Sequence, residues 1–283
     1  MDALSVLGEY TFQIVALGTA LLGLTAGITG TFSVLRHESL IGDGLSHASL
    51  PGVVLAFLLT GIKDSAWLLF GASVSALLAA LLMSLATKYT KIRFDAALAT
   101  VLSAFFGLGM VLLTYVQSLN DAGQAGLSKF IFGQAATMVA YDVLITSVVA
   151  VLVICIIGLS WKELVLTTFD REYARTLGMD VNICDVLYRF TVILTIIIGI
   201  QSVGAILISS LLIAPAVGAR QWTNRIGHMT ILAGLMGAIA CLMGTIWSTL
   251  VPKIPTGPAI IVVLSVIVIA SLLIRMYRKG GSL

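Results

Sequence analysis

Charge is scarce in this chain of 283 residues: 10% of them are Asp, Glu, Lys or Arg. A soluble domain carries roughly 25%, so a soluble globular fold is excluded. Cysteine is nearly absent as well. Cys155, Cys184 and Cys241 stand singly with no Cys-x-x-Cys pair, which argues for small apolar packing residues rather than a thiolate metal site. No Gly-x-x-x-x-Gly-Lys-Ser/Thr occurs, so the chain has no phosphate-cradling loop of its own. His37-Glu38 is followed by Ser39-Leu40-Ile41, so the His-Glu-x-x-His motif of metalloproteases fails too.

What is present is hydrocarbon-compatible sequence, 59% hydrophobic with a mean hydropathy of +1.09. Apolar runs of 18 or more residues read as membrane spans, and such stretches occupy about 11–34, 65–86, 96–119, 143–160, 190–214, 229–251 and 259–274. Residues 44–62 add another, interrupted by Pro51. Almost nothing remains for a soluble domain, so one transmembrane domain is expected over 1–283. The N-terminus lacks the basic region and cleavage site of a secretory signal, so the first span is expected to be a permanent helix.

Lys and Arg collect in alternate connections, as the positive-inside rule requires. One set holds Arg36, then Lys88, Lys91 and Arg93, then Lys162, Arg171 and Arg175, then Arg220 and Arg225, then Arg275, Arg278 and Lys279. The other holds Lys63, Lys129 and Lys253. The bias places the first set in the cytoplasm with the C-terminus, and the N-terminus outside. Residues 187–219 then have to leave the cytoplasm and return. At 1.5 Å per residue, two crossings of a ~30 Å core need about 40 residues, so two full spans do not fit. A full helix to about Gln201 and a short returning half-helix over Val203–Ala214 do fit. The expected fold is an all-α polytopic bundle of eight full spans plus that half-helix, nine by some counts.

Within this apolar setting, Asp43 and His47 stand four residues apart in Gly42-Asp43-Gly44-Leu45-Ser46-His47-Ala48-Ser49-Leu50-Pro51-Gly52. That spacing puts both on one helix face. Ionisable groups in a bilayer are expensive and tend to be functional, and one carboxylate with one imidazole suits a first-row divalent metal. Pro51 cannot return a hydrogen bond to the His47 carbonyl, which makes it a candidate hinge beside the pair. The alternative is that Asp43 caps the helix, Gly42 and Gly44 make the turn, and His47 bonds a neighbouring helix. His37 and His228 read as interfacial or solvated, Asp2, Glu9, Asp64, Asp121 and Asp142 as scattered outer carboxylates, and Arg189 as a snorkelling side chain. Gly23 with Gly27, and Gly234 with Gly237, are spaced for close helix approach.

The longest charged connection covers about 161–184. In it, Asp170 is expected to cap a short helix from Arg171 to Leu177, stopped by Gly178. Phe169, Tyr173, Ala174 and Leu177 fall on one side of it, and in Phe-Asp-x-x-x-Ala-x-x-x-Gly the small Ala174 and Gly178 would let a partner dock closely. The plain alternative is a solvated connector.

Together these blocks resemble the membrane permeases of ABC importers for manganese, zinc or iron. The carriers of the resemblance are Ser39-Leu40-Ile41-Gly42-Asp43 through Gly52 after Arg36, the loop Phe169–Gly178, and Ser202-Val203-Gly204-Ala205-Ile206-Leu207 with Pro215-Ala216. Gly44 departs from the commoner Ala. The segment Gly123–Ala136 is closer to the manganese-type branch. The resemblance implies a type II ABC importer-like fold and Asp43 and His47 as metal ligands. It implies Phe169, Asp170, Tyr173, Ala174, Leu177, Gly178 and Met179 as the contact to an ATPase. The implied partners are two ABC ATPase subunits that bind the ATP, an extracellular metal-binding lipoprotein, a second permease copy or paralogue, and membrane lipid, with no nucleic acid. The implied location is a bacterial cell membrane. No cofactor is held permanently; Mn²⁺, or else Zn²⁺ or Fe²⁺, is cargo. A vitamin or siderophore permease would not need an Asp/His pair. A gradient-driven transporter should carry ionisable groups in both halves, and the second half's apolar runs show no carboxylate.

Overall fold

A computed structural model describes residues 9–61, 64–118, 133, 135, 138–251 and 254–280. Helix accounts for every element among them. In chain order these are α1 (Tyr10–Leu35), α2 (Ile41–Ala48), α3 (Leu50–Thr60), α4 (Ser65–Tyr89), α5 (Phe94–Ser118), α6 (Ala140–Leu159), α7 (Trp161–Phe169), α8 (Arg171–Thr176), α9 (Val181–Ser202), α10 (Ala205–Arg220), α11 (Ile226–Leu250) and α12 (Thr256–Gly280). Eight segments are long and apolar enough to cross a membrane, α2 and α3 counting as one, and α10 contributes a shorter apolar helix. The eight-plus-one reading therefore holds.

The bundle is built around α1. It runs antiparallel to α11, because Thr19 Oγ1 meets Thr245 Oγ1 at 3.1 Å while Gly23 abuts Gly237 and Gly27 abuts Ala233. A Cβ on Gly23 would overlap the Gly237 carbonyl, and the reverse holds for Gly237. Without a hydrophobic drive between helices in lipid, small residues that allow backbone contact supply the packing. On its other side α1 meets α9 through Thr29 and Thr195 (3.2 Å) and through Ser33 and Tyr188 (3.0 Å).

The turn between α9 and α10 takes two residues, Val203 and Gly204. Gly204 has φ +98°, a region open to glycine, and both N–H groups return to the Gly199 carbonyl. The half-helix α10 then runs back beside α1, α2 and α9. Broken helices are tolerated at membrane depth where protein covers them, and Val203, Gly204 and Ala205 are buried. One boundary differs from expectation. Helix α9 starts at Val181, well before the apolar run, and so takes Asp185 into the span; the second half therefore does carry a carboxylate there. The segment around 123–132 lies outside the described residues.

Gly23→Leu or Gly237→Leu should separate α1 from α11 and cost about 1–3 kcal/mol or more by overpacking. Gly158, with open space where a Cβ would sit, is the control, since Gly158→Ala should be neutral or stabilising by about 0.5–1 kcal/mol. Thermal unfolding in detergent reads both; equal midpoints for the Leu variants and the parent would refute the close-approach account.

Candidate metal path and docking surface

Asp43 lies in the first turn of α2 and His47 in its last. His47 Nε2 stands 3.4 Å from Asp43 Oδ1. The imidazole side chain is 22% exposed and the carboxylate 45%, so the pair faces an open side of the helix. No side chain caps α2 and its N-cap is Leu40, so capping is not what holds Asp43. Gly42 and Gly44 do not form the turn; they are buried helical positions facing Leu212 and Ser209 of α10 and Leu98 of α5. Nor is His47 shown bonded to a neighbouring helix. Its ring meets Phe106 of α5 edge-on, with centroids 5.0 Å apart. A cleft beside it is lined by Leu50, Val53, Phe106, Ile200 and Ala205, at the α9–α10 turn.

Pro51 falls in the first turn of α3. Ser49, the single residue between α2 and α3, keeps helical dihedrals (φ −74°, ψ −22°), so the span steps without turning. Serine hydroxyls collect carbonyls around the step. Ser49 Oγ donates to Ser46 O (2.6 Å), and Ser75 Oγ of α4 donates to Ala48 O (2.6 Å).

Among the described residues no group of three or more His, Cys, Asp and Glu could hold a metal ion. The Asp43–His47 pair offers one hard oxygen site and one nitrogen, half of the four ligands a tetrahedral divalent ion takes.

At the basic end of the bundle, α7 and α8 lie across the helix ends. The charged loop is thus helical from Trp161, which pattern reading missed because its buried face is narrow: Leu164 and Thr167. Asp170 Oδ1 caps α8 by accepting from Tyr173 N (2.8 Å). At the other end Gly178 (φ +79°) closes a Schellman motif, with Gly178 N donating to Arg175 O and Met179 N to Ala174 O. Phe169, Tyr173 and Leu177 are all more than half exposed. Ala174 is fully buried, which corrects the expectation that it shares their side. It is the face on which α8 rests against the chain, and the outward stripe belongs to the three large residues.

Beneath α8 lies a cluster that the sequence reading did not identify. Arg36, the C-cap of α1, has a side chain 3% exposed. Its Nη1 donates to Asp185 Oδ1 at 2.7 Å, its Nε to Thr168 Oγ1 at 3.1 Å and its Nη2 to Thr167 Oγ1 at 3.0 Å. The guanidinium also lies over the Tyr188 ring, 4.3 Å from its centroid. Arg171 shares the same Asp185 oxygen at 3.1 Å. The available signal was Asp185 itself, a carboxylate next to an apolar run. Asp142 is a second correction. It is no scattered surface group but is buried, taking Gln201 Nε2 at 2.6 Å and Val139 N at 3.0 Å. Cys184 and Cys241 are buried as expected, whereas Cys155 is exposed.

Glu38 sits in the connector between α1 and α2, with Oε2 buried and lacking a protein partner. Burial pushes its carboxyl above the usual range, against the pull of Arg189 and Arg36. The folded protein thus binds that proton more tightly than the unfolded chain, and this group's contribution to stability declines as pH rises from about 4.5 through the folded value. Glu38→Gln should therefore raise the unfolding temperature at pH 7, with the gain fading as pH falls below 4.5. A gain of equal size at both pH values would contradict that account.

The ABC 3 transport family matches residues 9–275, and the chain belongs to it. It is 44% identical over 270 residues to the zinc transport system membrane protein TroC of Treponema pallidum, covering 95% of this chain and 91% of that one. It is 41% identical over 249 residues to the manganese transport system membrane protein MntC of Bacillus subtilis, covering 88% of this chain and 57% of that longer relative. Among solved structures, PsaBC from Streptococcus pneumoniae in complex with a Fab superposes with a TM-score of 0.82 at 30% identity, covering 95% of this chain and 94% of that one.

Proposed function

We propose that this chain is the membrane subunit of a binding-protein-dependent ABC importer that carries Mn²⁺ into a bacterial cell. Zn²⁺ is the second reading, favoured by the zinc-named relative at 44% identity. The observation that carries the proposal is the Asp43–His47 pair, open on one side of a stepped helix and short of a full ligand set among the described residues of one chain. Two copies facing each other would supply two carboxylates and two imidazoles, enough to hold a divalent ion. The arrangement suits a passage, because a site shared between two chains can be opened by moving them apart.

Each side chain then has a part. Asp43 attracts the ion and offers a hard oxygen. His47 gives a nitrogen, its ring held against Phe106. Pro51 and Ser49 leave the helix jointed next to the ligand. The basic end faces the cytoplasm, as the Lys and Arg distribution requires. With no phosphate loop in the chain, hydrolysis belongs to separate ATPase subunits, one under each copy, docking on Phe169, Tyr173 and Leu177. Gly178 and Met179 hold that helix's end through backbone hydrogen bonds, and Asp170 holds its start. An extracellular metal-binding protein delivers the ion, and lipid surrounds the assembly.

Asp43→Ala or His47→Ala should lower uptake of labelled Mn²⁺ or Zn²⁺ at least tenfold in cells lacking other importers, with membrane insertion unchanged. Parental uptake by either variant would remove the site. Competition between the two ions at the parent protein reads the cargo. Separately, Gly178→Trp meets no atoms where its Cβ would sit, but forces a left-handed residue at the end of α8. It should reduce co-purification of the ATPase several-fold, and undiminished recovery would count against docking there.

A further inference from the structure

We propose that Asp185, gripped on one oxygen by both Arg36 and Arg171, is the relay that carries movement of α8 to the metal-bearing helix α2. The proposal deepens the reading of α8 as the ATPase contact and rests on it.

The connectivity leaves little slack. Arg36 is the C-cap of α1, and α2 begins at Ile41. The intervening turn is tied by Glu38 N to Ser33 O (3.0 Å), His37 N to Val34 O (3.3 Å) and Ile41 N to Glu38 O (3.0 Å). His37 occupies the left-handed region at φ +58°, uncommon for a residue with a Cβ. A displacement of the Arg36 guanidinium is therefore passed to the start of α2, two residues from Asp43.

That guanidinium is held on every side. All three of its nitrogens donate, to α9 through Asp185 and to α7 through Thr167 and Thr168. Its face lies over Tyr188, whose hydroxyl returns to Ser33 of α1. Arg171, the first residue of α8, joins the same Asp185 oxygen from outside.

The two links differ in kind. Arg36–Asp185 is buried on the arginine side, and breaking such a pair leaves an uncompensated charge. Arg171 is 48% exposed, and exposed pairs contribute little to stability. The inner link therefore moves α1, α7 and α9 as one unit, while the outer one engages that unit when α8 swings toward Asp185 and releases it when α8 swings away. A staple built only for stability would not need the second, exposed arginine. Arg171 and Asp185 are positioning residues here, neither of them touching the ion.

The test uses the complete complex, permease with its ATPase and metal-binding protein, in proteoliposomes loaded with a metal-responsive dye. Mn²⁺ or Zn²⁺ influx and ATP hydrolysis are measured together for Arg171→Ala, Arg171→Lys and Asp185→Asn. Arg171→Ala alters a half-exposed residue, so it tests the relay even where Asp185→Asn fails to fold. For Arg171→Ala the expected result is undiminished ATPase co-purification, continued hydrolysis and a fall of about tenfold in ions moved per ATP, with Arg171→Lys restoring much of the ratio. An unchanged ratio in Arg171→Ala overturns the relay. So does loss of the ATPase from that variant, which would make Arg171 part of the docking surface. Failure of the docking reading is seen separately, as Gly178→Trp retaining its ATPase.

Discussion

Hydrocarbon offers no hydrogen bonds, so every backbone N–H and C=O within it has to find a partner inside the protein. That requirement explains why the chain is helix throughout its described length, and it makes each interruption costly. Three interruptions bear on the proposed path: the turn Arg36–Leu40, the step at Ser49, and the turn at Val203–Gly204. Each is repaired locally. In the first, the Phe32, Val34 and Ser33 carbonyls take the N–H groups of Arg36, His37 and Glu38. Serine hydroxyls take the carbonyls of the second, and Gly199 O takes both N–H groups of the third. The second and third meet beside the His47 ring, where Ser49 and the residues flanking the third, Ile200 and Ala205, line one cleft. The first lies toward the basic end and positions Arg36 against Asp185.

Ionisable groups near the spans receive two opposite treatments. Arg36 has its donors filled by Asp185, Thr167 and Thr168 and its face covered by Tyr188. Asp142 is likewise buried and satisfied. Asp43 and His47 are instead left partly open, 3.4 Å from each other. A saturated charge can serve architecture or transmit a displacement, but it has no capacity left for a ligand. An unsaturated pair has that capacity and is correspondingly poor as a fastener. The metal site and the proposed relay are thus assigned to different residues because their chemical requirements conflict.

Much of the fold was legible because helices in lipid are governed by length. The arithmetic of 1.5 Å per residue against a ~30 Å core implied a returning half-helix over residues that could not cross twice, and α10 is that helix. The small-residue spacing of α1 and α11 was equally direct. The failures share a cause. Helix α9 begins in sequence that hydropathy scores as polar, since Asp185 is neutralised by Arg36, a residue 149 positions away. Asp142 looked like a surface group because Gln201, which covers it, lies 59 positions on. Ala174 was grouped with Phe169, Tyr173 and Leu177, but angular position on a six-residue helix does not say which side rests on the protein.

Sequence alone therefore determined what depends on local spacing and on the solvent: the number of spans, the broken one, the caps of α8, and a carboxylate and imidazole on one helical face. Tertiary structure decided what depends on partners distant in the chain. It closed Arg36 into a buried network and joined that network to α8 through Asp185, while leaving Asp43 and His47 open to the outside of the chain. The physical reason is that a charge's behaviour is set by what lies within a few ångströms of it, and in a bundle of crossing helices those neighbours come from distant parts of the chain.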